Sequence, residues 1–293
     1  GFIGSHLVEE LLSRGHEVTA LVQYNSHNSE GWLGGLGPKV RRDLRVLHGD
    51  IRDSGFMQSA IEGHQRVAHL AALIAIPYSY IAPASYIETN VIGTLNVLEA
   101  CRQHSVGRVL HTSTSEVYGT AQYVPINEEH PLVGQSPYSA SKIAADQIAF
   151  SFWSSFDVPV TTIRPFNTYG PRQSQRAFIP SVMVQLLSGA DELTLGSLNP
   201  TRDLTFVTET ARGFADALES DEGIGEVFNM GSGFEVSMRE VVRMSCEISG
   251  RSPEIFVDNE RVRPVNSEVE RLWSDSSKML HTFGWEPNLQ GPN

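Results

Sequence analysis

Residues 1–22 read GFIGSHLVEELLSRGHEVTALV, and this stretch sets the fold class. Gly1-Phe2-Ile3-Gly4 carries two glycines at the spacing of a turn whose backbone bends sharply and comes close to a ligand. Leu7, Val8, Leu11 and Leu12 recur at helical spacing, so Gly4 to Arg14 is predicted helix, stopped by Gly15. Glu17 to Val22 is then a short β-branched run, the length of one strand. A glycine turn opening a helix aims free N-terminal amides at whatever anion sits before it.

The alternation continues along the chain. Leu44 to His48 is a strand closed by Gly49-Asp50, Met57 to Glu62 a helix and Arg66 to Ala71 a strand. Tyr86 to His104 is a long helix, Arg108 to Thr112 a strand, Tyr138 to Phe156 a second long helix and Val160 to Arg164 a strand. Strand and helix in turn predict an α/β protein with a doubly wound parallel sheet. Beyond Pro165 the pattern loosens into longer loops, short helices and strand pairs, which predicts a smaller α/β lobe. The chain therefore divides into a dinucleotide-binding domain over residues 1–165 and a mainly substrate-binding lobe over 166–293, with some segments returning to the first sheet. The strand that normally precedes the glycine turn has no residues here. Gly1 is not an initiator Met and Asn293 follows closely on the turn-like Trp285-Glu286-Pro287, so a longer parent protein is expected. The sheet should accordingly break beside Glu17 to Val22.

Composition narrows the function classes. Of 293 residues 40% are apolar and 19% charged, with a net charge of −12. So acidic a chain is a poor partner for nucleic acid or an anionic membrane, and an anionic substrate needs a local nest of arginines. Cys101 and Cys246 alone make neither a disulfide framework nor a metal site, so no metal is expected, and reduced thiols fit a cytoplasmic location. The apolar stretch Val67 to Ile76 is too short to cross a bilayer.

The chemistry concentrates in two segments. In Tyr138-Ser139-Ala140-Ser141-Lys142, Tyr and Lys stand four apart on one helical face. A lysine there lowers the tyrosine pKa, aided by a positive nicotinamide ring, and makes the phenolate a usable base. Thr112-Ser113-Thr114-Ser115-Glu116-Val117-Tyr118-Gly119 follows a strand, and strand ends are where such sheets bind ligands. Asp50 and Ile51, after another strand, are placed for an adenine ring. The carboxylate that would hold a ribose 2′-hydroxyl is absent from Gln23-Tyr24-Asn25, and so is an arginine for a 2′-phosphate. NAD is favoured, with NADP not excluded.

Taken together, the glycine turn, Leu70-Ala71-Ala72, Asn90-Val91-Ile92-Gly93-Thr94, the Thr-Ser-Glu-Val-Tyr-Gly segment, Tyr-x-x-x-Lys and Arg164-Pro165-Phe166-Asn167-Thr168-Tyr169-Gly170-Pro171-Arg172 occur in the order of the extended short-chain dehydrogenase/reductase superfamily. The chain resembles its NAD-dependent epimerase/dehydratase branch over essentially its whole length, through Arg261-Val262-Arg263-Pro264, Ser267-Glu268-Val269 and Gly284-Trp285-Glu286-Pro287. The resemblance implies a Rossmann-like sheet. It implies a cofactor held by Gly1, Phe2, Ile3, Gly4, Asp50, Ile51, Leu70, Ala71, Ala72, Asn90, Tyr138 and Lys142. Thr114, Ser115, Glu116, Tyr138 and Lys142 would be the catalytic residues, with Asn90 supporting Lys142 through water. Phe166, Asn167, Arg172, Arg202 and Arg263 would grip a nucleotide-sugar substrate, and two chains would pair through the long helices.

Glu116 decides among reactions. Epimerases of this branch usually carry a small or apolar residue there, whereas Ser115-Glu116 resembles the nucleotide-sugar 4,6-dehydratases. Glucuronate decarboxylases share Thr-Ser-Glu but usually carry an arginine where this chain has Gln135-Ser136-Pro137. Gln23-Tyr24-Asn25-Ser26, Gly31-Trp32-Leu33 and Thr120-Ala121-Gln122 are most similar to dehydratases of legionaminic-type sugar pathways, which act on nucleotide-linked N-acetylglucosamine. A cofactor-binding sensor without activity is the contrasting class, but its usual mark, a lost Tyr or Lys, is missing.

Overall fold

In the computed structural model, residues 1–258 and 263–288 are described. Helix α1 (Phe2–Ser13) starts on Gly1 without a side-chain cap, and Gly15 turns the chain at φ 87°. Strand β1 (Val18–Gln23), a short helix α2 (Pro38–Arg41) and β2 (Leu44–Gly49) follow. Asp53 caps α3 (Ser54–Ile61) by accepting from the Phe56 amide, and β3 (Arg66–His69) is next. Helices α4 (Ile76–Ile81) and α5 (Pro83–Tyr86) lead into a π-helical stretch, Ile87–Ile92, continued by α6 (Gly93–Gln103). The long helix expected over Tyr86 to His104 is thus wound wider over Ile87–Ile92. Strand β4 (Arg108–Thr112), a 3₁₀ turn (Ser115–Tyr118), α7 (Pro137–Phe156) and β5 (Val160–Pro165) complete the first part.

The remaining elements are shorter: β6 (Asn167–Tyr169), α8 (Phe178–Leu187), β7 (Glu192–Leu195), β8 (Thr201–Phe206) and α9 (Val207–Glu219). They end with β9 (Val227–Met230), β10 (Glu235–Ser237), α10 (Met238–Ser249), β11 (Glu254–Val257) and α11 (Ser277–Phe283).

The parallel sheet is in two parts. Strands β3-β4-β5-β9 form one and β1-β2 the other, and no ladder joins β1 to β3 among the described residues. Helix α1 bridges them. Its Leu7 and Leu11 pack with Leu110, Ile163, Phe214 and Trp285, while Val8 packs with Ala20 and Leu33. On the other face Met57, Val97, Leu98 and Phe152 of α3, α6 and α7 cover Val109 and Val160. Helices on both faces of parallel strands make the sheet doubly wound and Rossmann-like. Strand β9 returns from the second half of the chain to the edge of this sheet beside β5. The second half builds its own mixed sheet, β10-β8-β6, and a parallel pair, β11-β7. Among the described residues no helix is long and apolar enough to cross a membrane, and no His, Cys, Asp or Glu cluster is placed to hold a metal ion.

Candidate active site

Helix α7 begins with a reciprocal cap. The Ser139 amide donates to Ser136 Oγ at 3.1 Å, and the Ser136 amide donates to Ser139 Oγ at 3.0 Å. Pro137 at the first position fixes the entry, so Tyr138 and Lys142 face inward on successive turns. Both are buried. Tyr138 packs edge-on to Tyr86 with ring centroids 6.2 Å apart, and its hydroxyl faces Thr114. Burial pushes the Tyr138 hydroxyl above its ordinary pKa, with the Thr114 hydroxyl opposing and the charge of Glu116 adding. Lys142 Nζ donates to the Thr112 carbonyl at 2.6 Å, and burial brings its pKa down to about 8, against the pull of Asp146. In this surrounding Tyr138 is a neutral phenol that needs positive charge beside it to release a proton.

Thr114 and Glu116 come from the turn after β4. Thr114 Oγ1 caps the 3₁₀ turn by accepting from the Glu116 amide at 3.2 Å. The turn closes at Gly119, φ 65°, where a Cβ would lie 2.4 Å from Gln135 Oε1 and 3.0 Å from the Val133 carbonyl, so only glycine fits. Glu116 is buried. Arg263 Nη1 lies 3.5 Å from its Oε2 and 3.7 Å from Glu268 Oε1, and Arg202 Nη2 lies 3.5 Å from the same Glu268 oxygen. The two glutamates and two arginines alternate in one chain of ion contacts, with Glu116 at the end that faces Tyr138. Arg263 Nη1 is buried in ion-pair range of both carboxylates but without a hydrogen bond, a contact that an incoming anion can improve on. Arg261 and Val262 of the same motif lie outside the described residues.

The residues expected around a dinucleotide lie at the start of α1 and after the ends of β2 and β3. The N-terminus of α1 has no side-chain cap, and nothing stands within 4 Å of a Cβ built on Gly4. Free amides over open space fit a pyrophosphate. Phe2 and Ile3 are half-buried beside them, and Ile51 is buried. Asp50 accepts from the Arg52 amide at 2.9 Å and from its guanidinium at 2.6 Å, which holds the carboxyl below its usual range. It lines an open depression with Arg52, Asp53, Glu88 and Ile92. Leu70, Ala71 and Ala72 follow β3 in a loop pinned by Asn90, whose side chain accepts from the Leu73 amide at 2.8 Å and donates to its carbonyl at 3.0 Å. The other Asn90 donor goes to Ser141 Oγ at 3.0 Å. Asn90 therefore braces the strand-end loop against α7 directly.

The Phe166 side chain is buried among Val117, Tyr118, Ile126, Val269 and Leu272. Arg172, at φ 71°, pairs with Glu9 and Ser5 of α1, where an acidic helix face meets it. Asn167 begins β6, and its Oδ1 is buried with no partner. Ser115 is buried in the turn.

The sequence reading missed what stands behind Lys142. Asp146 repeats the four-residue interval from Tyr138 and Lys142. It accepts from His111 Nε2 at 3.0 Å, Ser113 Oγ at 2.8 Å and Arg164 Nη2 at 3.0 Å. Glu268, too, was visible only as part of a motif.

The family model described as GDP-mannose 4,6 dehydratase matches residues 1–292. A dTDP-glucose 4,6-dehydratase of Actinoplanes sp. is 33% identical over 99% of this chain and 91% of its own length. A UDP-glucose 4-epimerase of Corynebacterium glutamicum is 30% identical over 98% of this chain and 88% of its own. The solved dTDP-glucose 4,6-dehydratase DesIV from Streptomyces venezuelae, a double mutant with NAD bound, superposes with a TM-score of 0.87 at 31% identity, covering 99% of this chain and 90% of that one.

Proposed function

Because this chain belongs to the GDP-mannose 4,6-dehydratase family of the extended short-chain dehydrogenase/reductases, enzymes that use NAD on nucleotide-linked sugars, we propose that it is itself a 4,6-dehydratase. The observation that carries this reading is Glu116, a buried carboxylate beside the Tyr138–Thr114 pair and in ion contact with Arg263. NAD, held by the start of α1 and the segments after β2 and β3, would supply the acceptor for the hydride of carbon 4 and the donor of a hydride to carbon 6. Tyr138 Oη accepts the proton of the 4-hydroxyl, with Lys142 beneath supplying positive charge. Thr114 Oγ1 orients the same hydroxyl. The ketone acidifies the proton on carbon 5, which Glu116 removes as water leaves carbon 6. Ser115 is a weak acid, so Glu116 itself hands the leaving hydroxyl its proton. The product is a 4-keto-6-deoxy sugar nucleotide. Arg202 and Arg263, local exceptions in an acidic chain, hold the diphosphate, with Asn167 beside the sugar.

Nucleotide-linked N-acetylglucosamine or a similar hexose is the proposed substrate, supported by the segments around Gln23, Trp32 and Ala121. The dimer is proposed on the face of the long helices, where Ile87, Ile92 and Phe150 are exposed, and sedimentation at micromolar concentration tests it.

The 30% identical epimerase supports a second reading, in which Glu116 only positions Arg263. Mass spectrometry after incubation with UDP-, GDP-, dTDP- and CDP-sugars separates the two. The dehydratase removes one water, the epimerase leaves the mass unchanged, and loss of carbon dioxide from a glucuronate identifies a decarboxylase. Glu116→Gln should then stall after oxidation, with reduced cofactor accumulating and no solvent deuterium entering carbon 5. Turnover at the parent rate in that variant removes the case for elimination.

A further inference from the structure

We propose that Asp146 is a positioning residue for the Tyr138–Lys142 pair. Its carboxylate is the fixed counter-charge that keeps Lys142 an ammonium, and it ties α7 to the segments that carry Thr114 and Glu116. This rests on the reading of Tyr138 and Lys142 as the oxidising pair.

The geometry comes from three segments meeting on one buried group. Asp146 lies on α7 one turn beyond Lys142, about 5–6 Å away between Cβ atoms. His111 of β4, Ser113 at the strand's end and Arg164 of β5 all donate to it. Lys142 Nζ is held on the Thr112 carbonyl, the peptide immediately before Ser113, so ammonium and carboxylate are anchored to adjacent residues. Arg164 Nη1 donates onward to Tyr118 Oη at 3.0 Å, and Tyr118 Oη donates to Asn229 Oδ1 at 2.7 Å. Tyr118 closes the turn that bears Glu116.

Charge follows from burial. The groups facing the pair are His69 of β3, His111 of β4, Arg164 of β5, Glu116 and Tyr118 of the turn, and Tyr86 of α5. Desolvation keeps both histidines neutral. Glu116 already faces Arg263, and both tyrosines are neutral. Asp146, although it also accepts from Arg164, is the carboxylate whose charge acts on Lys142 against its burial. A carboxylate serving only Arg164 would leave the lysine's protonation untouched, and this separates a positioning role from a merely structural one.

The test is Asp146→Asn. In single turnovers of NAD-loaded protein with a sugar nucleotide that the parent turns over, the alkaline limb of hydride transfer should move to lower pH by about one unit. Sugar-nucleotide KM should stay near the parent's, and Asp146→Glu should restore the limb. In urea unfolding, the pH at which the difference between Lys142 and Lys142→Met backgrounds begins to change should drop by the same amount, without any appeal to catalysis. An unchanged onset, or an unmoved limb with rates scaled down at every pH, overturns the proposal. Should Asp146→Asn fail to fold, Asp146→Asn with Arg164→Met is compared with Arg164→Met alone, so that only the carboxylate's charge differs and the same downward move is expected between those two. Hydride transfer surviving in Tyr138→Phe defeats the underlying reading instead, and the unfolding onset then judges Asp146 by itself.

Discussion

Lys142→Met probes the electrostatics of the site through stability. Lys142 is only 3% exposed, and burial carries its pKa from 10.5 to about 8. Such a displacement corresponds to about 3 kcal/mol that the ammonium costs the folded state at neutral pH. Between the two values the folded lysine is neutral while the unfolded one still holds its proton. The unfolded state therefore binds more protons there, and the parent gains stability as pH rises through that window. Methionine keeps the length of the side chain and never carries the charge. Its loss of the 2.6 Å bond to the Thr112 carbonyl is an offset of about 1–3 kcal/mol that pH does not change. Variant-minus-parent unfolding free energy should thus be highest near neutrality and fall by about 3 kcal/mol as the folded and then the unfolded lysine lose their protons. Urea titrations followed by tryptophan fluorescence, at closely spaced pH values, measure it, and groups common to both proteins cancel in the difference. A flat difference from neutrality to beyond the unfolded lysine value refutes the buried-charge argument.

Three other outcomes are expected. Gly4→Ala meets no neighbour within 4 Å and improves helix propensity, so the melting temperature should hold or rise while calorimetry shows NAD affinity at least about tenfold weaker. Asp203→Ala takes the acceptor from Ser232 N at 2.6 Å, Ser232 Oγ at 2.7 Å, Gly233 N at 3.0 Å and Ser274 N at 3.1 Å, and chemical unfolding should show a loss above about 3 kcal/mol. Arg202→Met should raise the sugar-nucleotide KM more than tenfold with a smaller effect on kcat, and a fall in kcat alone would remove Arg202 from substrate binding.

What the sequence revealed and what it concealed have physical causes. Helices α1 and α7 and strands β1, β2, β4 and β5 were legible because each carries its own period of apolar residues, local in the chain. Tyr138, Lys142 and Thr114 were legible for the same reason, since a helix turn and a strand end place them without help from distant residues. The partners of Arg172 were not. Its choice of Glu9 is made across 163 residues, which no local pattern encodes. That the Phe166 ring is packed in the core was not legible either, because a motif says that a residue recurs without saying which way its ring faces. Strands β6 to β11 are three to six residues long and pair out of chain order, so their periodicity is too brief to read. Asp146 could have been found by extending the Tyr–Lys interval one more turn.

The wide winding at Ile87–Ile92 has a consequence for how this chain tolerates changes of length. A π turn takes in one residue more than an α turn. Deleting one residue there would let the segment relax to ordinary α winding, and the helix on either side would keep its facing, because the residue lost is the extra one that the wide turn holds. Asn90 lies inside the turn, so its own facing would change and its bonds to Leu73 and Ser141 would loosen. A deletion within α6, which holds no extra residue, would instead turn everything before it by about 100°. In a library of random indels the stretch should therefore stand out as a place where the loss of one residue spares the helices and weakens cofactor binding.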